Sequence, residues 1–176
     1  MQKPLFSLIA LLILTVTLTA SALTTVSITP TTIVSPEIGQ ELGVQVKIFG
    51  GRSIAGYQLT LVYDKTTLAY VNIKVGDYLP PEAFLIPPVS SPGSVMVGAV
   101  AISGVAKKTD GILALATFKV LAKKDSTIQL SEVRLSNREA QEIPAIIKNG
   151  NVLKSRDLVD PLGLEATDAP LDKGNL

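Results

Sequence analysis

The sequence predicts an all-β protein, an antiparallel β-sandwich of jelly-roll type with about nine strands. Apolar and polar residues alternate with period two in a series of short runs, and Gly, Pro, Asp-Gly or Asn-Gly turn signals separate these runs. No segment shows the apolar spacing of an amphipathic helix. The chain has no cysteine, so hydrophobic burial rather than a disulfide framework must stabilise the fold.

The first 22 residues have the pattern of a secretory signal peptide. Lys3 precedes an apolar run from Leu5 to Leu18, and the small residues Ala20, Ser21 and Ala22 resemble a cleavage site. An uncleaved membrane anchor is the alternative, but the apolar run is shorter than the ~20 residues of a spanning helix. We therefore predict a secreted protein, extracellular or at the cell surface, with no membrane insertion after cleavage.

Residues 155–176 are rich in Asp and Glu and contain Pro161 and Pro170, which predicts an acidic, disordered tail or linker. Residues 23–154 then form one domain. Without residues 1–22 the chain has 15 basic and 15 acidic side chains, so no strong net charge favours nucleic acid or an anionic membrane surface.

The first two strands are predicted at Thr25–Thr29, which ends before Pro30, and at Gly43–Phe49. The central strand is predicted within Ile54–Asp64, where period-two alternation separates two faces. The inward face is Tyr57, Leu59, Leu61 and Tyr63, and the outward face is Gly56, Gln58, Thr60 and Val62.

Leu68–Lys74 is a further strand, and Gly76–Gly93 follows with five prolines. Because proline cannot donate to a ladder, this segment is predicted to be a long surface loop, either the rim of a binding site or a crossover between sheets.

The next strands are predicted at Ser94–Ser103 and Gly111–Ala122, which are apolar on both faces. In the second of these, Leu113 and Leu115 are expected to point outwards. Ser126–Leu135 changes phase at Ser131-Glu132, which indicates a bulge or a bend. Ala145–Leu153 contains Asn149-Gly150 and is either a last strand or a hairpin.

Catalytic and metal-binding functions are disfavoured. The chain has no histidine, which removes the usual general base and the commonest metal ligand. Most acidic side chains flank turns rather than forming a carboxylate pair, and the alternating acidic ligands of a calcium loop are absent. We predict no catalytic residue, no metal site and no cofactor.

Outward apolar residues suggest a protein partner instead. If their strands are neighbours, Val62, Met96, Val100, Leu113 and Leu115 form a patch typical of a partner surface. The long loop or the tail covering this patch is the alternative. Tyr70 and Tyr78 are candidates for a second kind of site, a two-tyrosine platform that contacts carbohydrate.

The order of motifs resembles a cohesin domain over most of residues 23–154. The resembling residues are Ile54–Asp64, Leu68 and Gly76-Asp77, then Asp110-Gly111-Ile112 leading into Ala116–Val120, and finally Asn149-Gly150 with Val152. The resemblance implies a nine-stranded, non-catalytic jelly roll that holds a dockerin-bearing protein in a polysaccharide-degrading assembly.

The resemblance also implies where the partner binds. In well-known cohesins the dockerin lies across the outer sheet that includes the central strand within Ile54–Asp64, and several have Asn and Asp at the positions of Gly56 and Gln58. This chain departs there, which favours a more apolar contact. The partner-binding residues are therefore predicted to be Gly56, Gln58, Thr60, Val62, Met96, Val100, Leu113 and Leu115. A carbohydrate-binding module of the same fold superfamily, or a structural or adhesive surface domain, is the alternative.

Overall fold

A computed structural model describes residues 23–154, and both the predicted signal peptide and the predicted tail lie outside this range. The described chain forms two sheets and no helix, so the predicted β-sandwich is confirmed. Within this range there is accordingly no helix of the length and hydrophobicity that would cross a membrane.

The predicted strands are present in their predicted order, and the structure adds two strands that the sequence did not predict, at Thr32–Val34 and Phe84–Ser91. The strands are β1 (Thr25–Thr29), β2 (Thr32–Val34), β3 (Glu41–Phe49), β4 (Gly56–Tyr63), β5 (Leu68–Val75), β6 (Phe84–Ser91), β7 (Ser94–Val100), β8 (Gly111–Val120), β9 (Ser126–Ser136), β10 (Ile146–Lys148) and β11 (Gly150–Leu153).

The five-stranded sheet has the order β10-β1-β3-β8-β5, and the six-stranded sheet has the order β2-β11-β9-β4-β7-β6. Neighbours are antiparallel except for β1 with β10 and β2 with β11, which are parallel. At β1–β2 and at β10–β11 the chain changes sheets within a few residues, so that each pair resembles one strand shared between the two sheets. If each of these pairs is counted as one strand, the sandwich has the predicted nine.

The Asn149-Gly150 dipeptide is therefore not a hairpin turn, and that alternative is wrong. It is the point at which the last strand changes sheets. A Cβ atom on Gly150 would lie 2.7 Å from Ile28 Cγ2, so the close approach of β11 to β1 requires glycine. Asn149 supports the crossing because its Oδ1 accepts a 2.9 Å hydrogen bond from Leu130 N.

The core lies between the sheets, and β4 is its central strand in the six-stranded sheet. The four residues predicted to face inwards from β4 are all buried, namely Tyr57, Leu59, Leu61 and Tyr63. The predicted bulge in β9 is also present, since Thr60 pairs with Glu132 whereas Leu61 pairs with Leu130, leaving Ser131 between them.

The prediction that Gly76–Gly93 is a loop is wrong for its second half, because Phe84–Ser91 forms β6 at the edge of the six-stranded sheet. Ile86 pairs with Gly98 and Val89 pairs with Met96, so Pro87 and Pro88 lie together at a bulge. An edge strand tolerates proline because its backbone N–H groups have a partner strand on only one side. β6 thus lies beside β7 and does not cover its outer face.

Candidate functional site

The outer face of the six-stranded sheet carries an apolar surface across β7 and β6, and Val62 on β4 adjoins it beside Ser94, one outward position along from Met96. The register places Thr60 beside Met96 and Met96 beside Val89, and it places Val100 beside Phe84. Paired residues share a face of the sheet. We call this surface the outer patch and define it as Val62, Phe84, Ile86, Val89, Met96 and Val100.

Exposure within the outer patch is highest at the edge of the sheet. Phe84 is 59% exposed, Val89 61% and Val100 40%. Val62, Ile86 and Met96 are partly buried. Gly98 permits this packing, because a Cβ atom there would lie 3.0 Å from Ile86 Cδ1 and 2.8 Å from Tyr57 O. The Ile86 side chain therefore lies close over the backbone of β7.

The other half of the same face is polar. Gln58 pairs with Arg134 and Thr60 pairs with Glu132, so hydroxyl, amide and charged groups line up along β4 and β9. Arg134 Nη2 forms a 2.8 Å ion pair with Glu132 Oε1, and both side chains are exposed. An apolar strip bounded by a solvated polar row is the arrangement of an interface core and its rim.

A shallow hollow of about 360 Å³ lies where the two halves meet, at Gly56. Its walls include Ile86, Val100, Arg134 and Glu142. A Cβ atom on Gly56 would lie 3.1 Å from Ser136 Oγ and 3.4 Å from Val100 Cγ2, so the absence of a side chain keeps the hollow open.

Comparison with known families identifies the domain. Residues 26–153 match the family model for the cohesin domain. The chain belongs to the cohesin family. No curated protein sequence gives a significant match to it.

Solved cohesin structures share the fold of this cohesin domain. A non-cellulosomal cohesin from Archaeoglobus fulgidus is 18% identical with a TM-score of 0.64, covering 76% of this chain and 91% of that one. The sixth cohesin of Acetivibrio cellulolyticus scaffoldin B, solved in complex with the Cel5 dockerin, is 21% identical with a TM-score of 0.63, covering 76% and 99%. The seventh ScaB type I cohesin of Pseudobacteroides cellulosolvens is 22% identical with a TM-score of 0.61, covering 88% and 99%.

The prediction that Leu113 points outwards is wrong, because its side chain is fully buried in this cohesin domain. Val46 pairs with Ala114 and Lys47 with Ile112, so Leu113 occupies a bulge in β8. The bulge turns two successive side chains, Leu113 and Ala114, into the core. Simple alternation cannot represent such an extra residue.

Leu115 does point outwards, with 37% of its surface exposed. It lies on β8, however, in the five-stranded sheet, whereas Val62, Met96 and Val100 lie on the six-stranded sheet. The single patch expected to combine these residues therefore does not form. The structure brings together six of the predicted partner-binding residues: Gly56, Gln58, Thr60, Val62, Met96 and Val100.

The two tyrosines proposed as a carbohydrate platform do not form one. Tyr78 is 2% exposed and belongs to the core, and Tyr70 is partly buried against the same core. They line separate hollows of about 580 Å³ and 340 Å³ at opposite ends of the seam between β5 and β6. Burial, with a contribution from the charge of Asp110, raises the pKa of Tyr78 to about 12.

The carboxylates at the turns have structural contacts. Asp64 Oδ1 accepts hydrogen bonds from Thr66 N and Oγ1, and Asp110 Oδ1 accepts one from Gly50 N at 2.8 Å. Asp77 pairs with Lys108 at 2.9 Å, and this hydrogen bond lowers the pKa of Asp77. Between residues 23 and 154, no group of three or more potential ligand side chains gathers to hold a metal ion.

The residues missed by sequence reasoning are those that β6 adds to the outer patch, Phe84, Ile86 and Val89. The prolines of the segment led to the prediction of a loop in place of a strand. Their signal was the apolar run Phe84-Leu85-Ile86 directly before a proline pair, which is compatible with an edge strand.

Proposed function

We propose that this cohesin domain is a secreted, non-catalytic module that captures a dockerin-bearing protein in a polysaccharide-degrading assembly. The partner would lie across the outer face of the six-stranded sheet. The observation that carries this proposal is the outer patch, because soluble domains rarely expose a contiguous apolar surface on neighbouring strands unless another molecule covers it.

The composition of the face supports a protein partner. Exposed Phe84, Val89 and Val100 supply apolar area to be desolvated, and the polar row at Gln58 and Arg134 supplies a rim of hydrogen-bonding groups. A standard interface covers about 800 Å² on each partner. Residues on four neighbouring strands, β9, β4, β7 and β6, are available for it.

The similar structures support a dockerin as the partner class, since several were solved as cohesin–dockerin complexes. Gly56 and Gln58 replace the Asn and Asp that several family members have, so hydrogen bonds from those positions would be fewer. The partner of this domain would accordingly bury more apolar surface against β6 and β7.

The first experiment identifies the partner. The chain from residue 23 to 176, immobilised on a support, is exposed to the secreted proteins of the source organism with calcium or with a chelator. We expect capture of a protein whose sequence contains the paired calcium loops of a dockerin, with release by the chelator. Recovery of no dockerin-bearing protein would contradict the proposal.

The second experiment tests the surface with the purified partner module in a calorimetric titration. Val89→Asp combined with Val100→Asp introduces two charges into the outer patch, and we expect at least about a tenfold loss of affinity. Leu115→Asp is the matched control, because it adds a charge at a similarly exposed apolar position on the opposite sheet. If Leu115→Asp weakened binding and the double variant did not, the partner would lie on the five-stranded sheet.

A further inference from the structure

The opposite face of the sandwich, formed by the five-stranded sheet, contains the whole excess of positive charge of the domain. Residues 23–154 include thirteen basic and ten acidic side chains. Four lysines and a single acid, Glu41, lie on the outer face of the strands of this sheet: Lys47, Lys74, Lys119 and Lys148. The remaining charges of the domain balance, nine against nine.

Burial and register establish that these lysines point outwards. Lys47 lies between the buried residues Val46 and Ile48, and Lys119 lies between the buried residues Phe118 and Val120. Three ion pairs join described side chains, and none of them includes a lysine of this face. Lys119 lies directly opposite Glu41 on β3, which leaves Lys47, Lys74 and Lys148 as the ammonium groups available to an anionic ligand.

The register also defines a row of groups across three strands. Ser27 on β1, which is only 5% exposed, lies between Lys148 on β10 and Lys47 on β3. Strand spacing of about 4.8 Å separates the two lysine backbones by about 10 Å. The adjacent row consists of Ile146, Thr25 and Phe49 in the same strand order, and Phe49 is 44% exposed.

We propose that this face binds an acidic polysaccharide, with carboxylates of the polymer at Lys47 and Lys148 and a sugar ring against Phe49. A flat sheet face with separated cations suits an extended polymer that carries a carboxylate on successive sugars. The exposed aromatic ring offers the apolar contact that the C–H face of a sugar requires, and Thr25 supplies a hydroxyl beside it. This site is separate from Tyr70, Tyr78 and the outer patch.

The test uses polygalacturonate as the acidic ligand and its fully methyl-esterified form as a matched neutral ligand. Affinity electrophoresis of residues 23–176 at low ionic strength should show retardation by polygalacturonate, and added salt should remove it. Lys47→Gln with Lys148→Gln should weaken binding about tenfold, because each substitution removes one exposed charge contact. Phe49→Ala should weaken it severalfold.

Two control variants distinguish binding at the lysine face from an effect of the protein's net charge. Lys65→Gln with Lys124→Gln removes the same charge from exposed positions outside this sheet and should leave retardation unchanged. Val89→Asp with Val100→Asp alters only the outer patch, so dockerin capture and polysaccharide binding would be lost in different variants.

Three outcomes would overturn the proposal. One is equal retardation by the esterified polymer, and another is equal loss of binding in the two lysine pairs. The third is tighter binding to phosphatidylglycerol vesicles than to polygalacturonate with no effect of Phe49→Ala, which would assign the face to an anionic membrane surface.

Discussion

At the residue scale, Tyr57 shows how a polar atom is accommodated between two apolar sheets. Its ring belongs to the core on β4, and its hydroxyl donates a 2.5 Å hydrogen bond to Leu113 O on β8 of the other sheet. Burial raises the pKa of Tyr57 well above its ordinary value, so the hydroxyl remains protonated and able to donate. The bulge at Leu113 presents the carbonyl that this bond requires.

Asp64 is the residue whose ionisation stabilises a turn. Its carboxylate accepts bonds from Thr66 N at 2.8 Å and Thr66 Oγ1 at 2.7 Å, and these bonds lower its pKa below the ordinary 3.8. A depressed pKa in the folded state means that the stabilisation is complete above pH 3.8 and is lost as the pH falls through the folded-state value.

We therefore expect Asp64→Ala to lower the free energy of unfolding at pH 7, with the difference from the parent protein shrinking on acidification below pH 3.8. Urea unfolding at a series of pH values measures this difference. Glu82→Ala, at an exposed position, is the control and should change little. A difference that stayed constant down to pH 2 would show that the charge of Asp64 is not the cause.

At the scale of elements, irregularities in the strands decide which side chains reach the core. The bulges in β8 and β9 and the proline pair in β6 each change the phase of alternation. The sequence indicates the bulge in β9, because apolar residues fall on even-numbered positions up to Leu130 and on odd-numbered positions from Val133. The bulge in β8 falls within the run Ile112–Ala116, in which every residue is apolar, so the phase there is undefined.

This account of β8 predicts unequal effects for two neighbouring leucines. Leu113→Ala should lower the free energy of unfolding by about 2–5 kcal/mol because it leaves a cavity in the core. Leu115→Ala should lower it by less than about 1 kcal/mol because the side chain is partly solvated. Urea unfolding of both variants measures the effects, and equal values would mean that β8 has no bulge at Leu113.

At the scale of the whole molecule, two sheets of one small sandwich present surfaces of different chemistry. The six-stranded sheet exposes the apolar outer patch, and the five-stranded sheet exposes lysines together with separate apolar residues such as Phe49 and Leu115. The short connections from β1 to β2 and from β10 to β11 join the two sheets at one end of their strand orders, so the two surfaces lie on opposite sides of the same sandwich.

The position of β11, the last strand, predicts where the folded domain ends. Removal of residues 155–176 should shift the melting temperature by no more than about 2 °C, because the acidic composition of that segment predicts no contribution to the core. Removal of residues 149–176 should abolish cooperative unfolding, because β11 pairs with both β2 and β9 and buries Val152. Thermal unfolding followed by circular dichroism measures both. A shift of more than about 5 °C for the shorter deletion would place residues 155–176 within the folded domain.

The amino-acid sequence by itself determined the all-β class, the order of the main strands and the inward face of β4. These features depend on alternation within one segment, which a strand expresses locally. It also led to the cohesin resemblance that the match over residues 26–153 confirms.

Only the tertiary structure decided which surfaces exist. Alternation separates the two faces of a strand but does not state which strands are neighbours, because pairing depends on residues far apart in the chain. Leu115 and Val100 were both correctly expected to point outwards, yet they lie on opposite sides of the molecule. Tyr78 looked available in a loop, but the space beside Gly51 and Gly111 buries it in the core.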